Sequence, residues 1–197
     1  MSADARLKSL IDWRTDNSGR IVELARIGRE RFDYDPKSGR LTWRDPGPSA
    51  FPTIKGYHIF KRRFAGRPAG SVNKTTGYVG VGVLGRSILA HRLIWAMVHG
   101  YDPTGDIDHR DLCRANNRLT NLREATRSQN SMNKPRRSDN RSGVKGVYWH
   151  KATGKWVATI CANGNAAHLG VFLTLEDAAD ARRLAVTKVH GDFGRAA

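Results

Sequence analysis

The sequence predicts an α+β fold assembled from small pieces. Three observations carry this: short strand pairs set off by glycine and proline turns, brief helical patterns between them, and a βββα run closing the chain. The chain has 197 residues, which suits one medium domain or two small ones. A polar, basic, proline-containing stretch from Met132 to Gly143 reads as a linker. It suggests an N-terminal helical segment (1–31), a central domain (32–135), a linker (136–142) and a small C-terminal domain (143–197).

Element by element, Leu7, Leu10 and Ile11 repeat at helical spacing, and Ile21, Leu24 and Ala25 repeat it after the break at Asp16-Asn17-Ser18-Gly19. Phe32 to Trp43 reads as two short strands around a Pro-Lys-Ser-Gly turn, and Asp45 to Pro52 as a loop. Phe60 to Gly66 mixes aromatics with three consecutive bases and reads as a basic strand edge able to lie on phosphates. Alternation from Gly77 to Val83 and again through Ser87 predicts a hairpin turning at Gly85-Arg86. His91 to His99 is a helix closed by Gly100 at the position after its C-cap. Asp102-Pro103-Thr104-Gly105 then turns the chain.

Ile107 to His109 and Asn121 to Ala125 read as extended runs separated by a polar, turn-rich loop. Thr126 and Gln129 form a capping box that opens a short helix, which must stop near Pro135. Val144–His150, Lys155–Ala162 and Ala167–Phe172 are expected as three strands, with Asn163-Gly164 as a hairpin turn. Thr174 caps a last helix with Leu175, Ala178, Ala179, Ala185, Val186 and Val189 on one face.

Charge narrows the partners. Lys plus Arg number 34 against 18 acids, a net charge of +16. Such an excess favours a polyanion through steering and counterion release, without saying which polyanion. A membrane span needs roughly 18 apolar residues. The longest apolar run, inside Leu93 to Val98, is far shorter, and Met1 to Leu10 lacks the apolar core of a signal peptide. Cys113 and Cys161 stand far apart, which excludes a four-cysteine zinc site and leaves Cys113 as a free thiol. A soluble, intracellular protein is expected.

The segment from Asp106 to Lys134 carries the chemistry. Hydrolysing a phosphodiester requires a group that deprotonates water, and a hard cation held by oxygen ligands that leave its charge effective. Asp108 beside His109, with Asn121 and Asn130 following, supplies those parts. Alone, Asp108-His109 reads as a turn with a surface imidazole, Asn121 as a backbone-bonding amide, and Asn130 as an exposed helical residue. The joint pattern overrides those readings. His91, on an amphipathic helix, reads as a packing or hydrogen-bonding residue, and neighbouring Arg92 as a phosphate contact.

The ordered set Asp108-His109, Asn116-Asn117-Arg118, Asn121-Leu122-Arg123, Thr126 and Asn130 resembles the HNH endonuclease family of phage and homing type, which has a ββα-metal fold. Tyr34-Asp35-Pro36 with Gly39 and Trp43, Arg63-Phe64-Ala65-Gly66, Gly77-Tyr78 and His91-Arg92-Leu93 extend the resemblance over residues 32–135. It implies His109 as general base and Asp108 and Asn130 as ligands of one divalent ion, Mg²⁺ or Mn²⁺. It implies Asn121 as the residue that braces the loop and orients His109, with 5′-phosphate and 3′-hydroxyl products. Double-stranded DNA is the implied substrate, cut in the host cytoplasm if the chain is phage-encoded. Arg123 joins Arg92 as a candidate DNA contact.

Gly143-Val-Lys-Gly-Val-Tyr-Trp149, Lys155-Trp156, His168-Leu169-Gly170, Phe172, Thr174 and His190-Gly191 resemble the AP2 DNA-binding domain. In that family the sheet lies in the major groove. The resemblance makes Lys145, Tyr148, His150, Lys155, Trp156 and Thr159 candidate DNA contacts, with Trp156 and Phe172 also readable as core aromatics. Tyr148 and His150 stand where many relatives have arginine. A DNA-binding regulator with an inactive nuclease centre is the alternative reading. A nucleic-acid coating protein, resting on charge alone, leaves the ordered Asp-His, Asn, Asn set unexplained.

Overall fold

A computed structural model describes residues 20–83, 85–101, 103 and 105–194. The expected helix at Leu7–Ile11, and Asp102 and Thr104 of the expected turn, lie outside the described residues. The architecture is α+β, with small antiparallel sheets and short helices. The chain divides into two compact units, residues 1–123 and 124–197.

In the first unit, helix α1 (Arg20–Arg31) runs straight into β1 (Phe32–Asp35), which pairs antiparallel with β2 (Arg40–Trp43). The aligned register, Phe32 opposite Trp43 and Asp35 opposite Arg40, is the expected hairpin. Helix α2 (Ile54–Arg63) follows, capped by Thr53, whose hydroxyl accepts from the Gly56 N–H at 3.1 Å. This corrects the reading of Phe60–Gly66 as a strand edge. Phe60 and Phe64 lie one helical turn apart, and both rings pack on Trp43, at 6.0 and 5.6 Å. Helical periodicity, not strand alternation, sets both rings on Trp43.

A three-stranded sheet of β3 (Ser71–Val72), β4 (Val79–Val83) and β5 (Arg86–Leu89) comes next, with β4 central. The sequence did not anticipate β3. Arg86 pairs with Val83, so the hairpin turns one residue earlier than expected. Helix α3 (Ala90–His99) ends at Gly100 with φ 78°, as the sequence predicts. Seven of its ten residues are buried. Leu93 and Ile94 join Ile27, Phe32, Leu41, Val81, Val83, Ile107 and Leu122 in the unit's core. Full burial of each such side chain stabilises by roughly 1.5–3 kcal/mol. Helix α1 packs on α3, and Arg29 Nε donates to the Met97 carbonyl at 2.6 Å.

Strand β6 (Asp106–His109) pairs with β7 (Leu122–Ala125), through which the chain passes from the first unit to the second. Asn121 belongs to a 3₁₀ turn, Leu119–Asn121, and not to the strand.

In the second unit, helix α4 (Arg127–Asn133) opens with the anticipated capping box between Thr126 and Gln129 and ends before Pro135. Strands β8 (Val147–His150), β9 (Lys155–Ala162) and β10 (Asn165–Phe172) form an antiparallel sheet in the order β10-β9-β8. The first strand starts three residues later than predicted. Val144 instead sits in a turn held by the Ser142 hydroxyl, which accepts from the Val144 N–H at 3.1 Å. Asn163 and Gly164 both have positive φ, 53° and 81°, which suits a two-residue hairpin turn.

Helix α5 (Leu175–Val189), capped by Thr174, covers one sheet face. Ala178, Ala179, Ala185 and Val186 are buried as predicted, and Leu175 packs on the core. Val189 is half exposed, while Arg182 is buried among the apolar positions. The expected linker follows the end of α4, and the compact division falls earlier, at 123/124. Helix α4 is tied to the C-terminal sheet: the Asn163 N–H donates to Ser128 Oγ at 2.8 Å, and Lys145 Nζ donates to the Ser131, Met132 and Lys134 carbonyls.

Candidate active site

Strand β6 ends in Asp108-His109, both nearly inaccessible. Beyond it the chain loops from Arg110 to Arg118 and returns through the 3₁₀ turn. Polar side chains hold that loop. Asn121 Nδ2 donates to Asp111 Oδ1 at 2.9 Å and to the Asn116 carbonyl at 2.8 Å, and its Oδ1 accepts from the Asp111 N–H at 3.1 Å. Asn116 Nδ2 donates to the other Asp111 oxygen at 2.7 Å. These bonds tie Asn121 to both Asp111 and Asn116 of the loop.

A hydrogen bond to His109 comes from another residue of the loop. His109 Nε2 lies 3.1 Å from Asn117 Oδ1. An amide oxygen only accepts, so the neutral ring carries its proton on Nε2 and its lone pair on Nδ1. The sequence pattern contained Asn117 but gave it no role. Its amide faces the ring because the first hairpin presses the loop from behind. Tyr34 Oη donates to the Asn117 carbonyl at 2.9 Å. Gly39, at φ 75°, lies so close that a Cβ there would stand 2.4 Å from the Arg118 nitrogen. Any side chain at that position would push the loop away.

Asp108 faces Arg123 of β7. The guanidinium reaches Oδ2 through Nε at 2.9 Å and Nη2 at 2.7 Å, and both side chains are over nine-tenths buried. Burial corrects the expectation that Arg123 is a surface contact for DNA: its charged fork is directed at Asp108. Arg92 is half-buried, with Nη1 3.4 Å from the Gly105 carbonyl.

Aromatic rings close the other side of His109. His91 meets it edge-on at 5.1 Å, and Tyr78 stands 5.1 Å from His91 and 5.9 Å from His109. The Arg114 guanidinium lies 4.9 Å over Tyr78. His91 is buried as a packing residue, and its Nδ1 has no hydrogen-bond partner among the described residues. Burial, reinforced by the neighbouring His109 and Arg92, pushes its pKa down to about 3. Burial also lowers the pKa of His109, although Asn117, Asp111 and Asp108 pull upward. Both imidazoles are neutral near pH 7, and a neutral imidazole is the form that accepts a proton. Asp111 titrates below an ordinary carboxyl: burial acts upward, but the Asn116, Asn121 and Cys113 N–H donors outweigh it.

Asn130 lies in the second unit, half-buried near the start of α4, with its N–H donating to the Thr126 carbonyl at 2.9 Å. Among the described residues no three His, Cys, Asp or Glu side chains gather as a metal cage, so an ion at Asp108 would have few carboxylate or imidazole ligands.

The candidate reader residues divide by strand parity. Trp156 packs towards α5 with Val147 and Ala158, and its ring meets Trp149 at 5.1 Å. That corrects its assignment as an outward contact, because alternation puts it on the covered face. Tyr148, His150 and Lys155 lie on the opposite face, all exposed. The Thr159 hydroxyl donates to the Gly146 carbonyl at 3.2 Å, and Lys145 caps α4. Cys113 and Cys161 are free and exposed. Among the described residues no helix is long and apolar enough to cross a membrane.

Comparison with known proteins agrees with the geometry of the loop. Residues 89–132 match the family described as HNH endonuclease, a span from the start of α3 into α4. Over 106 residues the chain is 35% identical to Protein 3.8 of Escherichia phage T7, covering 53% of this chain and 87% of that protein. No solved structure matches the chain. On the motif loop and on this relative, the chain belongs to the HNH endonuclease family.

Proposed function

We propose that the chain is a metal-dependent endonuclease that hydrolyses phosphodiester bonds in double-stranded DNA, with residues 143–197 acting as an AP2-like reader. The observation that carries this is the buried His109, next in sequence to the buried Asp108 and with its Nε2 3.1 Å from Asn117 Oδ1. His109 Nδ1 would take a proton from water, and Asn117 would hold the ring while it does so. Asp111 and Asn121 fix the loop that presents Asn117.

The donor chemistry fits a hard divalent ion. By the family resemblance its oxygen ligands would be Asp108 and Asn130, residue types suited to Mg²⁺, with Mn²⁺ as a substitute. When bound, such an ion neutralises charge on the phosphate and on the departing oxygen. The Arg123 fork on Asp108 Oδ2 would fix the carboxylate's orientation. Cleavage would leave a 5′-phosphate and a 3′-hydroxyl, and a phage setting would place it in host cytoplasm.

The exposed face of the C-terminal sheet supports the reader role. Lys155 would meet phosphates and add affinity without sequence information, while Tyr148 and His150 would reach base edges. Arg92 would add a phosphate contact beside the active site.

The test is cleavage of supercoiled plasmid by the full chain. Nicks or breaks are expected with Mg²⁺ and none with chelator. His109→Ala should lower the rate by roughly 10²–10⁴-fold while gel-shift affinity stays at the wild-type level. Undiminished cleavage by His109→Ala would rule out this active site.

A further inference from the structure

The second unit contains a cavity of about 540 Å³ that plays no part in the nuclease reading. It opens where β9 runs on past the start of β8. Its walls include Arg127 and Ser131 of α4, Lys145 from the loop before β8, Thr159 of β9, and Arg182 and His190 from α5 and its C-cap. Three permanent cations and an imidazole surround it, and no aspartate or glutamate is among its lining residues.

Arg182 is the informative member. It is 2% exposed, and its Nε donates to the Lys145 carbonyl at 2.9 Å. Its Nη1 makes no hydrogen bond among the described residues. Burial holds its pKa below the usual arginine value, with no acidic neighbour pulling the other way. A buried guanidinium without a counterion is costly, since removing a charge from water is offset only by a partner of opposite sign. The backbone nevertheless makes room for it. Gly146 sits at φ 80°, and a Cβ there would stand 2.6 Å from Arg182 Nε. Lys145 is directed at the carbonyls ending α4. His190 Nε2 donates to the Cys161 carbonyl at 2.9 Å, and its Nδ1 has no hydrogen-bond partner among the described residues.

We infer that this cavity is a binding site for a phosphate group, with the Arg182 guanidinium as its central donor. An arginine fork matches phosphate oxygens bidentately. The hydroxyl of Ser131 and the exposed guanidinium of Arg127 stand on the same wall and supply donors of the right kind for a tetrahedral anion. The volume lies in the range of small-ligand sites. A free phosphate compound and a phosphate of the nucleic-acid backbone share this chemistry. The inference stands independently of DNA cleavage.

Cys161, exposed on the cavity wall, provides a readout. In the full chain carrying Cys113→Ser, alkylation of Cys161 by iodoacetamide is followed at constant ionic strength. Inorganic phosphate is expected to slow the reaction saturably, and chloride is not. Arg182→Met should weaken this protection by about tenfold or more, and Arg127→Ala by a smaller factor. Should Arg182→Met fail to fold, Arg127→Ala and Ser131→Ala carry the test, since both replace exposed residues of α4. Protection by inorganic phosphate or by a mononucleotide, with duplex affinity unchanged in Arg127→Ala, identifies a free ligand. Protection by a short DNA duplex alone, lost in Arg127→Ala, identifies a backbone phosphate. No protection by any of these probes overturns the inference, and so does protection that survives the substitutions.

Discussion

The motif loop and the C-terminal sheet deploy charge in opposite ways. In the loop the principal polar side chains are met by one another: His109 by Asn117, Asp108 by Arg123, and Asp111 by Asn116 and Asn121. On the sheet, Tyr148, His150 and Lys155 face solvent. An internally satisfied network gives each member one orientation, which a reaction between placed atoms needs. An open basic face leaves its side chains to be ordered by a partner, which suits binding. Substitutions in the two regions should therefore separate stability from affinity.

The largest effect is expected at Asp108. Asp108→Ala leaves the Arg123 guanidinium buried without its partner, and such losses run to about 3–5 kcal/mol. Urea unfolding of the full chain measures it. Replacing both partners, Asp108→Leu with Arg123→Met, should recover most of that stability and none of the cleavage. A single substitution costing under roughly 1 kcal/mol would mean that water already compensates the pair, as at a surface bridge.

Next comes Asn121, whose amide makes three bonds within the loop. Asn121→Ala should cost about 2 kcal/mol, because the loop groups it satisfies lose their partner. Asn117→Ala should cost less stability yet lower cleavage by about tenfold or more. Asn117→Asp keeps an acceptor oxygen towards the ring and should recover part of that loss. A merely structural amide would show no such rescue.

These residues also show what the sequence could reveal. The spacing of Asp108-His109, Asn121 and Asn130 and the Thr126–Gln129 cap were legible, because local periodicity and capping chemistry depend on near neighbours. The strand pairs from Phe32 to Trp43 and from Lys155 to Phe172 were legible for the same reason. Asn117 was not. Its orientation depends on Tyr34 and Gly39, about eighty residues earlier in the chain. Nothing local to Arg123 distinguishes it from an exposed basic residue; its place against Asp108 comes with the pairing of β6 and β7. The basic run Lys61-Arg62-Arg63 hid a helix whose aromatic stripe, Phe60 and Phe64, finds its partner in distant Trp43.

Acid should distinguish the buried loop from the exposed face by a somewhat smaller effect. His91 titrates near 6.5 in the unfolded chain, and burial pushes it down to about 3 in the fold. Above pH 6.5 both states are neutral there, and stability does not depend on this group. Below it the unfolded chain binds a proton that the fold refuses, so stability falls as pH drops. From pH 6.5 to 5 the loss is about 2 kcal/mol. Urea midpoints across that range should show the slope. His91→Leu, which keeps an apolar group at this site, should flatten it. An unchanged slope would place the acid sensitivity elsewhere.

The smallest effect on the fold, and the clearest contrast, is expected on the open sheet face. Lys155→Ala and Tyr148→Ala remove exposed groups, so the unfolding midpoint should hardly move. DNA affinity should fall in both, for different reasons. A lysine on a phosphate contributes through counterion release, so Lys155→Ala should reduce the slope of log affinity against log salt by about 0.9. Tyr148→Ala should leave that slope intact and weaken discrimination between sequences, because a contact with base edges carries sequence information. Gel shifts on matched duplexes at several salt concentrations separate the two outcomes. If both variants bind DNA as tightly as the wild type, the sheet is not the reader, and its basic face is simply solvated.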